Sequence, residues 1–115
     1  METREYKEND VVILELRGKL DSFTSKDFQE KLLGLIEQGN ARFIMECSQL
    51  EYVSSAGIRV FYLASSRLQD RNGKIVFCAL HQNVRRVFDL VEMSSEFLIF
   101  STKEEALKAF QGASP

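Results

Sequence analysis

Two adjacent serines, Ser54 and Ser55, occupy the position in this sequence with the clearest chemical potential. They lie in the segment LEYVSSAGIRV (residues 50–60), where a strand-like pattern ends and a helical apolar pattern begins. A serine at such a junction can cap the helix, because the first-turn amides lack intrahelical acceptors. The same amides and the helix dipole can hold a phosphate group. The residues alone therefore leave open a helix cap, a phosphorylation site and a catalytic nucleophile.

The catalytic alternative requires a general base beside the serine and a group that orients this base. The only histidine, His81, follows the next predicted strand and could reach the same edge of a sheet. However, VSSAG is not a G-x-S-x-G nucleophile elbow, and neither nucleotide-binding glycine motif occurs. Zinc-type Cys/His spacing is also absent. We therefore expect no enzymatic activity, no cofactor and no metal, and we predict that His81 is a loop or capping residue.

Composition indicates one ordinary globular domain. The chain has 115 residues, of which 44% are hydrophobic and 28% charged, and we expect a single domain over residues 1–115 with an ordered core of about 3–111. The net charge of −2 gives no reason to expect nucleic-acid binding. No apolar run approaches the ~20 residues of a membrane span, and the polar N-terminus favours a cytoplasmic protein. Cys47 and Cys78 lie in strand-like runs, so we expect them to be buried.

The apolar periodicity predicts alternating strands and helices. A short strand in REYK turns at END into a strand at residues 11–18. The elements that follow are a helix at 24–38, a strand at 42–47, a helix at 57–68, a strand at 74–80, a helix at 82–91, a strand at 97–101 and a helix at 102–110. The residues predicted to face the core from three of these helices are Phe28, Leu32, Leu35 and Ile36; Gly57, Val60, Phe61, Ala64 and Leu68; and Val84, Val87, Phe88 and Val91.

This alternation is typical of an α/β fold with parallel strands. We predict a four- to five-stranded mixed, mainly parallel sheet with about four helices. The strands carry charges at alternate positions, as at Glu15, Arg17 and Glu46. Because a sheet covered on both faces would bury those charges, we expect the helices mostly on one face. Thr24 or Ser25 is the expected N-cap of the first helix, and Thr102 with Glu105 resembles a capping box.

Three separated segments, in order, resemble the STAS domain of bacterial anti-sigma factor antagonists. They are RGKLDSFTSKDFQEKL, FIMECSQLEYVSSAGIRVF and KIVFCALHQNVRRVFDLVEM, and the likeness runs from about residue 6 to 110. The resemblance implies a STAS-like fold and a switch protein. In this family the unphosphorylated antagonist binds an anti-sigma factor that is also a serine kinase. Phosphorylation of the serine at the strand–helix junction breaks that complex, and a phosphatase restores it.

The resemblance also implies which serine is modified. The family motif is D-S-[ST]-G with the second position phosphorylated, and alignment on Gly57 places Ser55 there, with Ser54 as second choice. Ser54 occupies the place of the family aspartate, and Ala56 occupies the third position. Because the aspartate is absent, an alternative function remains: a non-phosphorylated STAS scaffolding module in a sensory or lipid-transport complex.

The predicted partner surface combines the loop after the first long strand with the start and outer face of the central helix. The expected partners are the anti-sigma factor/serine kinase and a phosphoserine phosphatase, without direct nucleic-acid contact or a membrane span. For self-association, the sequence leaves a monomer and a weak homodimer open. The residues predicted to bind the partner are Asp21, Ser22, Ser54, Ser55, Gly57, Arg59, Tyr62 and Leu63.

Overall fold

The computed structural model of the chain describes residues 1–111, which contain five strands and five helices. The strands are β1 (Glu2–Glu8), β2 (Val11–Leu20), β3 (Arg42–Val53), β4 (Lys74–Cys78) and β5 (Ile99–Phe100). The helices are α1 (Ser25–Glu37), α2 (Ser55–Gln69), α3 (Gln82–Leu90), α4 (Met93–Glu96) and α5 (Lys103–Gln111). The sequence predicts an ordered core that ends at about residue 111, and residues 112–115 lie outside the described residues.

The strands form one sheet in the order β1-β2-β3-β4-β5. Only β1 and β2 are antiparallel, and the other three neighbouring pairs are parallel. Asn9 and Asp10 connect β1 to β2 with φ angles of 51° and 66°, and positive φ at both central residues is typical of a tight type I′ hairpin turn. The predicted first strand, its turn and the mixed, mainly parallel sheet are therefore confirmed.

The two faces of the sheet are covered unequally. Helices α1 to α4 pack on one face, where Phe61 of α2 lies at the centre of the core. Its ring makes edge-to-face contacts with Phe28, Phe77 and Phe88 at centroid distances of 5.8, 4.9 and 6.4 Å. Among residues 1–111, helix α5 is the one helix that covers part of the other face, mainly through Phe110. The prediction that helices lie mostly on one face is therefore confirmed.

Alternate strand residues enter the two cores, as the two-residue period of a strand requires. In β3, Phe43 and Met45 enter the larger core and Ile44 enters the smaller one. Cys47 and Cys78 are both completely buried, as predicted, and they belong to different cores. Burial raises the pKa of the Cys47 thiol well above its usual value and that of Cys78 to about 12.

The segment after α3 departs from the prediction. Val91, predicted to face the core, follows the last residue of α3 and is 45% exposed. The prediction is wrong because Glu92 adopts a left-handed conformation with φ of 62°, which ends the helical pattern. The chain turns there into the short helix α4, which the periodicity did not indicate, and Met93 is the residue that enters the core.

The ends of two other elements also have local causes. Strand β4 ends at Cys78, two residues earlier than predicted, because Ala79 adopts φ of 59°. At the start of α5, Thr102 Oγ1 accepts a hydrogen bond from Glu105 N at 3.1 Å. The Glu105 carboxylate in turn accepts from Ser101 N at 3.1 Å. The capping-box prediction is therefore confirmed, with the reciprocal bond one residue earlier than in the usual motif.

Candidate functional site

The site lies at the edge of the sheet where β2 and β3 end. Leu20, the last residue of β2, pairs with Val53, the last residue of β3. Ser54 N then donates a hydrogen bond to Leu20 O at 2.9 Å. Because β2 and β3 are parallel, this bond places the loop after β2 beside the first residues of α2. The predicted proximity of Asp21 to the two serines follows from this register.

The two serines have different structural roles. Ser54 is the N-cap of α2, with extended backbone angles (φ −97°, ψ 173°), and its hydroxyl accepts a hydrogen bond from Gly57 N at 3.3 Å. Its carbonyl accepts the first helical hydrogen bond, from Ile58 N at 2.9 Å. Ser55 is the first residue of the helix and is exposed. Ser54 therefore supplies the cap, and the Ser55 side chain is left at the surface above the first-turn amides.

Gly57 lies beneath this surface. A Cβ atom at position 57 would lie 2.7 Å from Leu20 Cγ and 3.0 Å from Val53 Cγ2, distances that a well-packed core does not allow. The residue is buried, so the prediction that Gly57 contacts a partner is corrected. Its role is to let α2 approach the ends of β2 and β3, which sets the height of Ser55 above the sheet.

The loop after β2 is held by its own side chains. The Asp21 carboxylate accepts hydrogen bonds from Phe23 N at 2.9 Å and from Thr24 N at 3.1 Å. Thr24 Oγ1 accepts from Asp21 N at 3.0 Å and donates to Lys19 O at 2.9 Å. Thr24 is the N-cap of α1 by position, but its hydroxyl makes no capping bond to the helix. The Thr24 side chain therefore closes the loop instead of capping α1.

The hydrogen bonds to Asp21 outweigh its partial desolvation. Desolvation alone would raise the pKa of the carboxyl, whereas the donors Phe23 N, Thr24 N and the Thr24 hydroxyl favour the charged form. The net effect is a pKa below the usual value. Asp21 is thus ionised at neutral pH and faces its own loop, while the adjacent Ser22 is exposed.

The residue of this loop that the sequence did not single out is Phe23. Its side chain is 90% exposed, more than any other large apolar side chain of residues 1–111. Phe23 precedes the N-cap Thr24 and is outside the apolar stripe of α1, which begins at Phe28. The sequence does contain a signal for this exposed side chain. Phe23 is an aromatic residue that follows a turn-forming Asp-Ser pair and has no place in the helical stripe.

The outer face of α2 is less open than predicted. Arg59 is exposed, but Tyr62 and Leu63 are only half exposed. The Tyr62 ring packs edge-to-face on Phe97 at a centroid distance of 5.3 Å. Burial is the main cause of its raised pKa, with the nearby Glu96 carboxylate second. Tyr62 therefore presents only part of its ring to a partner.

His81 has a structural contact away from the serines. It is the N-cap residue of α3, and its Nε2 atom contacts the Ser48 carbonyl. Asn83 Nδ2 likewise donates to Glu51 O at 2.6 Å. Both side chains contact backbone carbonyl oxygens of β3 that lie beyond Glu46, the last β3 residue paired with β4. The prediction that His81 is a loop or capping residue is confirmed, and its contact is with Ser48 rather than Ser55.

Residues 1–111 contain neither a cluster arranged to hold a metal ion nor a helix suited to cross a membrane. Between residues 1 and 111, no group of three or more His, Cys, Asp or Glu side chains is arranged to hold a metal ion. Over the same residues, no helix combines the length and the apolar character needed to cross a bilayer.

Comparison with known proteins identifies the family. The STAS domain family matches residues 3–106. BtrV of Bordetella bronchiseptica, which carries the name anti-sigma factor antagonist, is 32% identical over 100 residues, covering 87% of this chain and 86% of BtrV. The anti-sigma-F factor antagonist RsfB of Mycobacterium tuberculosis is 23% identical over 104 residues, covering 90% and 84%.

Solved structures share the fold. The anti-sigma factor antagonist SpoIIAA in its unphosphorylated form aligns with a TM-score of 0.86 and 21% identity, over 99% of this chain and 100% of SpoIIAA. The phosphorylated form of the Bacillus cell fate determinant SpoIIAA aligns with a TM-score of 0.75 and 20% identity, over 95% and 99%. Together with the match to residues 3–106 and the similarity to BtrV, these findings show that the chain is a STAS domain protein of the anti-sigma factor antagonist family.

Proposed function

We propose that this protein antagonises an anti-sigma factor by binding it, and that phosphorylation of Ser55 by this same partner, a serine kinase, releases it. The loop after β2 and the first turns of α2 form the binding surface. A phosphoserine phosphatase returns the protein to its binding form. The protein acts in this scheme by binding rather than by catalysis, and residues 1–115 act as one domain.

The observation that carries the proposal is the division of roles between the two serines. Ser54 uses its hydroxyl to cap α2, and Ser55 is exposed one residue later. A kinase can therefore reach the Ser55 hydroxyl without removing the hydrogen bond that begins the helix. Ser54, the second choice, is half-buried and engaged with Gly57 N, which disfavours it as the acceptor.

The charges of α2 explain how one phosphate can change binding. Its fifteen residues contain two arginines, Arg59 and Arg67, and no acidic residue. A phosphate on Ser55 adds about −1.5 to −2 charges, enough to cancel the charge of the helix. Arg59 lies four residues after Ser55, the spacing at which oppositely charged helical side chains interact. Phosphorylation would therefore draw Arg59 to the phosphate and away from an acidic partner.

The energetic effects of the phosphate on the fold and on the complex have opposite signs. At the first residue of a helix, a negative group is stabilised by roughly 0.3–1 kcal/mol. At an interface, juxtaposed like charges cost several kcal/mol, or on the order of a hundredfold or more in affinity. The modified protein is therefore expected to stay folded while its complex dissociates.

The test uses the cognate anti-sigma factor, purified and supplied with ATP. We expect one phosphate per chain, located at Ser55 by mass spectrometry, and none in Ser55→Ala. Calorimetric titration should show that Ser55→Ala binds like the unmodified protein, whereas Ser55→Asp binds at least tenfold more weakly. Phosphate on Ser54, or no phosphate in the presence of an active kinase, would contradict the proposal.

The scaffolding alternative is favoured by one observation, the use of Ser54 as a simple cap where the family motif has an aspartate. In that case Ser55→Asp would leave partner binding unchanged. The same titration therefore separates the two functions.

A further inference from the structure

We propose that Phe23 is the apolar anchor of the complex with the anti-sigma factor, and that Asp21 is a positioning residue that acts through Phe23. This inference rests on the proposed function and deepens it by assigning the direct contact. It replaces the expectation that the Asp21 carboxylate itself meets the partner.

The first observation is the exposure of the Phe23 side chain. Phe23 is 90% exposed, whereas Leu90, the next most exposed of the large apolar residues between 1 and 111, is 78% exposed at the end of α3. Aromatic residues bury about 150–250 Å² and dominate the energetics of interfaces. An aromatic ring held almost entirely in water therefore has much to gain from a partner that covers it.

The second observation is that the backbone around Phe23 is ordered before any partner arrives. Asp21 Oδ1 accepts the Phe23 amide at 2.9 Å, and Asp21 O accepts the Ser25 amide at 2.9 Å. Thr24 Oγ1 ties the end of the loop to Lys19 O. A preorganised side chain loses less conformational entropy on binding. The Asp21 carboxylate thus fixes the position of the ring while its acceptor oxygen stays inside the loop.

The third observation is the distance between Phe23 and the switch residue. Ser54 N bonds to Leu20 O, and Phe23 is three residues beyond Leu20, so the Cα atoms of Phe23 and Leu20 are at most ~11 Å apart. An interface of about 800 Å² per partner is roughly 30 Å across. A partner whose contact area includes Ser55 can therefore also cover Phe23.

These features define the chemistry of the partner surface. It has an apolar pocket for the Phe23 ring, next to carboxylates that face α2, whose only charged residues are Arg59 and Arg67. This charge complementarity favours the anti-sigma factor over a second copy of the chain, because two copies would bring the same arginines together.

The experiment measures the affinity of the same anti-sigma factor for four variants. Phe23→Ala should weaken binding by about 30-fold, in the range of an interface hot spot. Asp21→Asn should stay within about threefold of the unchanged protein, because the amide oxygen can accept the same backbone hydrogen bonds. Asp21→Ala should lose about tenfold, and Leu90→Ala, an exposed apolar control on another helix, should bind normally. Circular dichroism and urea unfolding check that every variant is folded.

The outcomes separate the two proposals. Normal binding by Phe23→Ala, in a protein whose Ser55→Asp variant binds weakly, would overturn the anchor and leave the switch intact. An equal loss in Asp21→Asn and Asp21→Ala would show that the charge of Asp21 meets the partner directly. A change in self-association of Phe23→Ala by sedimentation, with anti-sigma factor binding unchanged, would assign the ring to a homodimer and overturn the proposal. Failure of the unmodified protein to bind any anti-sigma factor would overturn both proposals.

Discussion

Gly57 allows a quantitative test of how α2 is placed on the sheet. Substitution by alanine puts a methyl group 2.7 Å from Leu20 Cγ and 2.9 Å from Leu20 Cδ2. Leu20 is completely buried, so it cannot move away into solvent. Overpacking of this kind costs about 1–3 kcal/mol. Replacement of a helical glycine by alanine gains up to about 1 kcal/mol, and we expect Gly57→Ala to be destabilised by about 1 kcal/mol.

Gly34 supplies the matched control. It lies within α1, and a Cβ atom at this position would have no heavy atom within 4 Å. Gly34→Ala should therefore show the gain in helix propensity without the clash, a stabilisation of roughly 0.5–1 kcal/mol. The difference between the two variants isolates the cost of overpacking at Leu20 and Val53, about 2 kcal/mol.

Urea unfolding followed by circular dichroism measures both variants. With an m-value of about 2 kcal/mol/M, the midpoints should differ by about 1 M, with Gly34→Ala higher. Equal midpoints, or a higher midpoint for Gly57→Ala, would refute the claim that close approach of α2 requires glycine. Because Leu20 adjoins Asp21, Gly57→Ala should also weaken binding of the anti-sigma factor.

Four further predictions concern single groups. Ala79→Gly should raise the free energy of unfolding by about 0.5–1 kcal/mol, since φ of 59° strains alanine; a lower free energy in urea unfolding would contradict this. Both cysteine thiols are buried and have raised pKa values. A colorimetric thiol reagent at pH 8 should therefore react with them only after unfolding. Fast reaction with the native protein would be inconsistent with the structure. The pKa of the Asp21 carboxyl, measured by NMR titration, should lie below its usual value of 3.8. The contribution of Asp21 to stability is then fully present above pH 3.8 and is lost as the pH falls through the lower pKa of the folded state. A titration midpoint above 3.8 would show that desolvation dominates. Ser54→Ala should cost about 1 kcal/mol through loss of the cap, measured by urea unfolding, and an unchanged stability would remove the assigned role of Ser54.

The features that sequence could predict are those with a regular period or a local motif. The stripe of α2 is predicted correctly because Val60, Phe61, Ala64 and Leu68 recur at helical spacing, and all four are buried. The turn predicted at END and the cap predicted at Thr102 also depend on neighbours in sequence. In each case a contact within a few residues determines the conformation.

The features that sequence could not predict depend on single backbone conformations or on distant contacts. The left-handed conformation of Glu92 ends the α3 pattern and exposes Val91, and glutamate gives no warning of it because positive φ favours glycine or asparagine. The half-burial of Tyr62 depends on Phe97, thirty-five positions away. At the site, the position of Phe23 outside the α1 stripe is visible in the sequence, but the inward bonding of Asp21, which leaves Phe23 as the outward residue, depends on the loop geometry.

In the proposed switch, the separation of the cap, Ser54, from the phosphate acceptor, Ser55, has a physical advantage. If a single serine both capped α2 and accepted the phosphate, each cycle would disturb the hydrogen bond to Gly57 N, and loss of a cap costs about 1 kcal/mol. Since Gly57 packs on Leu20, and Leu20 O holds Ser54 N, a change at the cap would reach the loop that carries Phe23. With Ser54 as a permanent cap, we expect that packing to be the same in both states of the proposed switch. A phosphate on Ser55 would then act on the partner through charge alone, and its removal would restore the binding loop without any refolding.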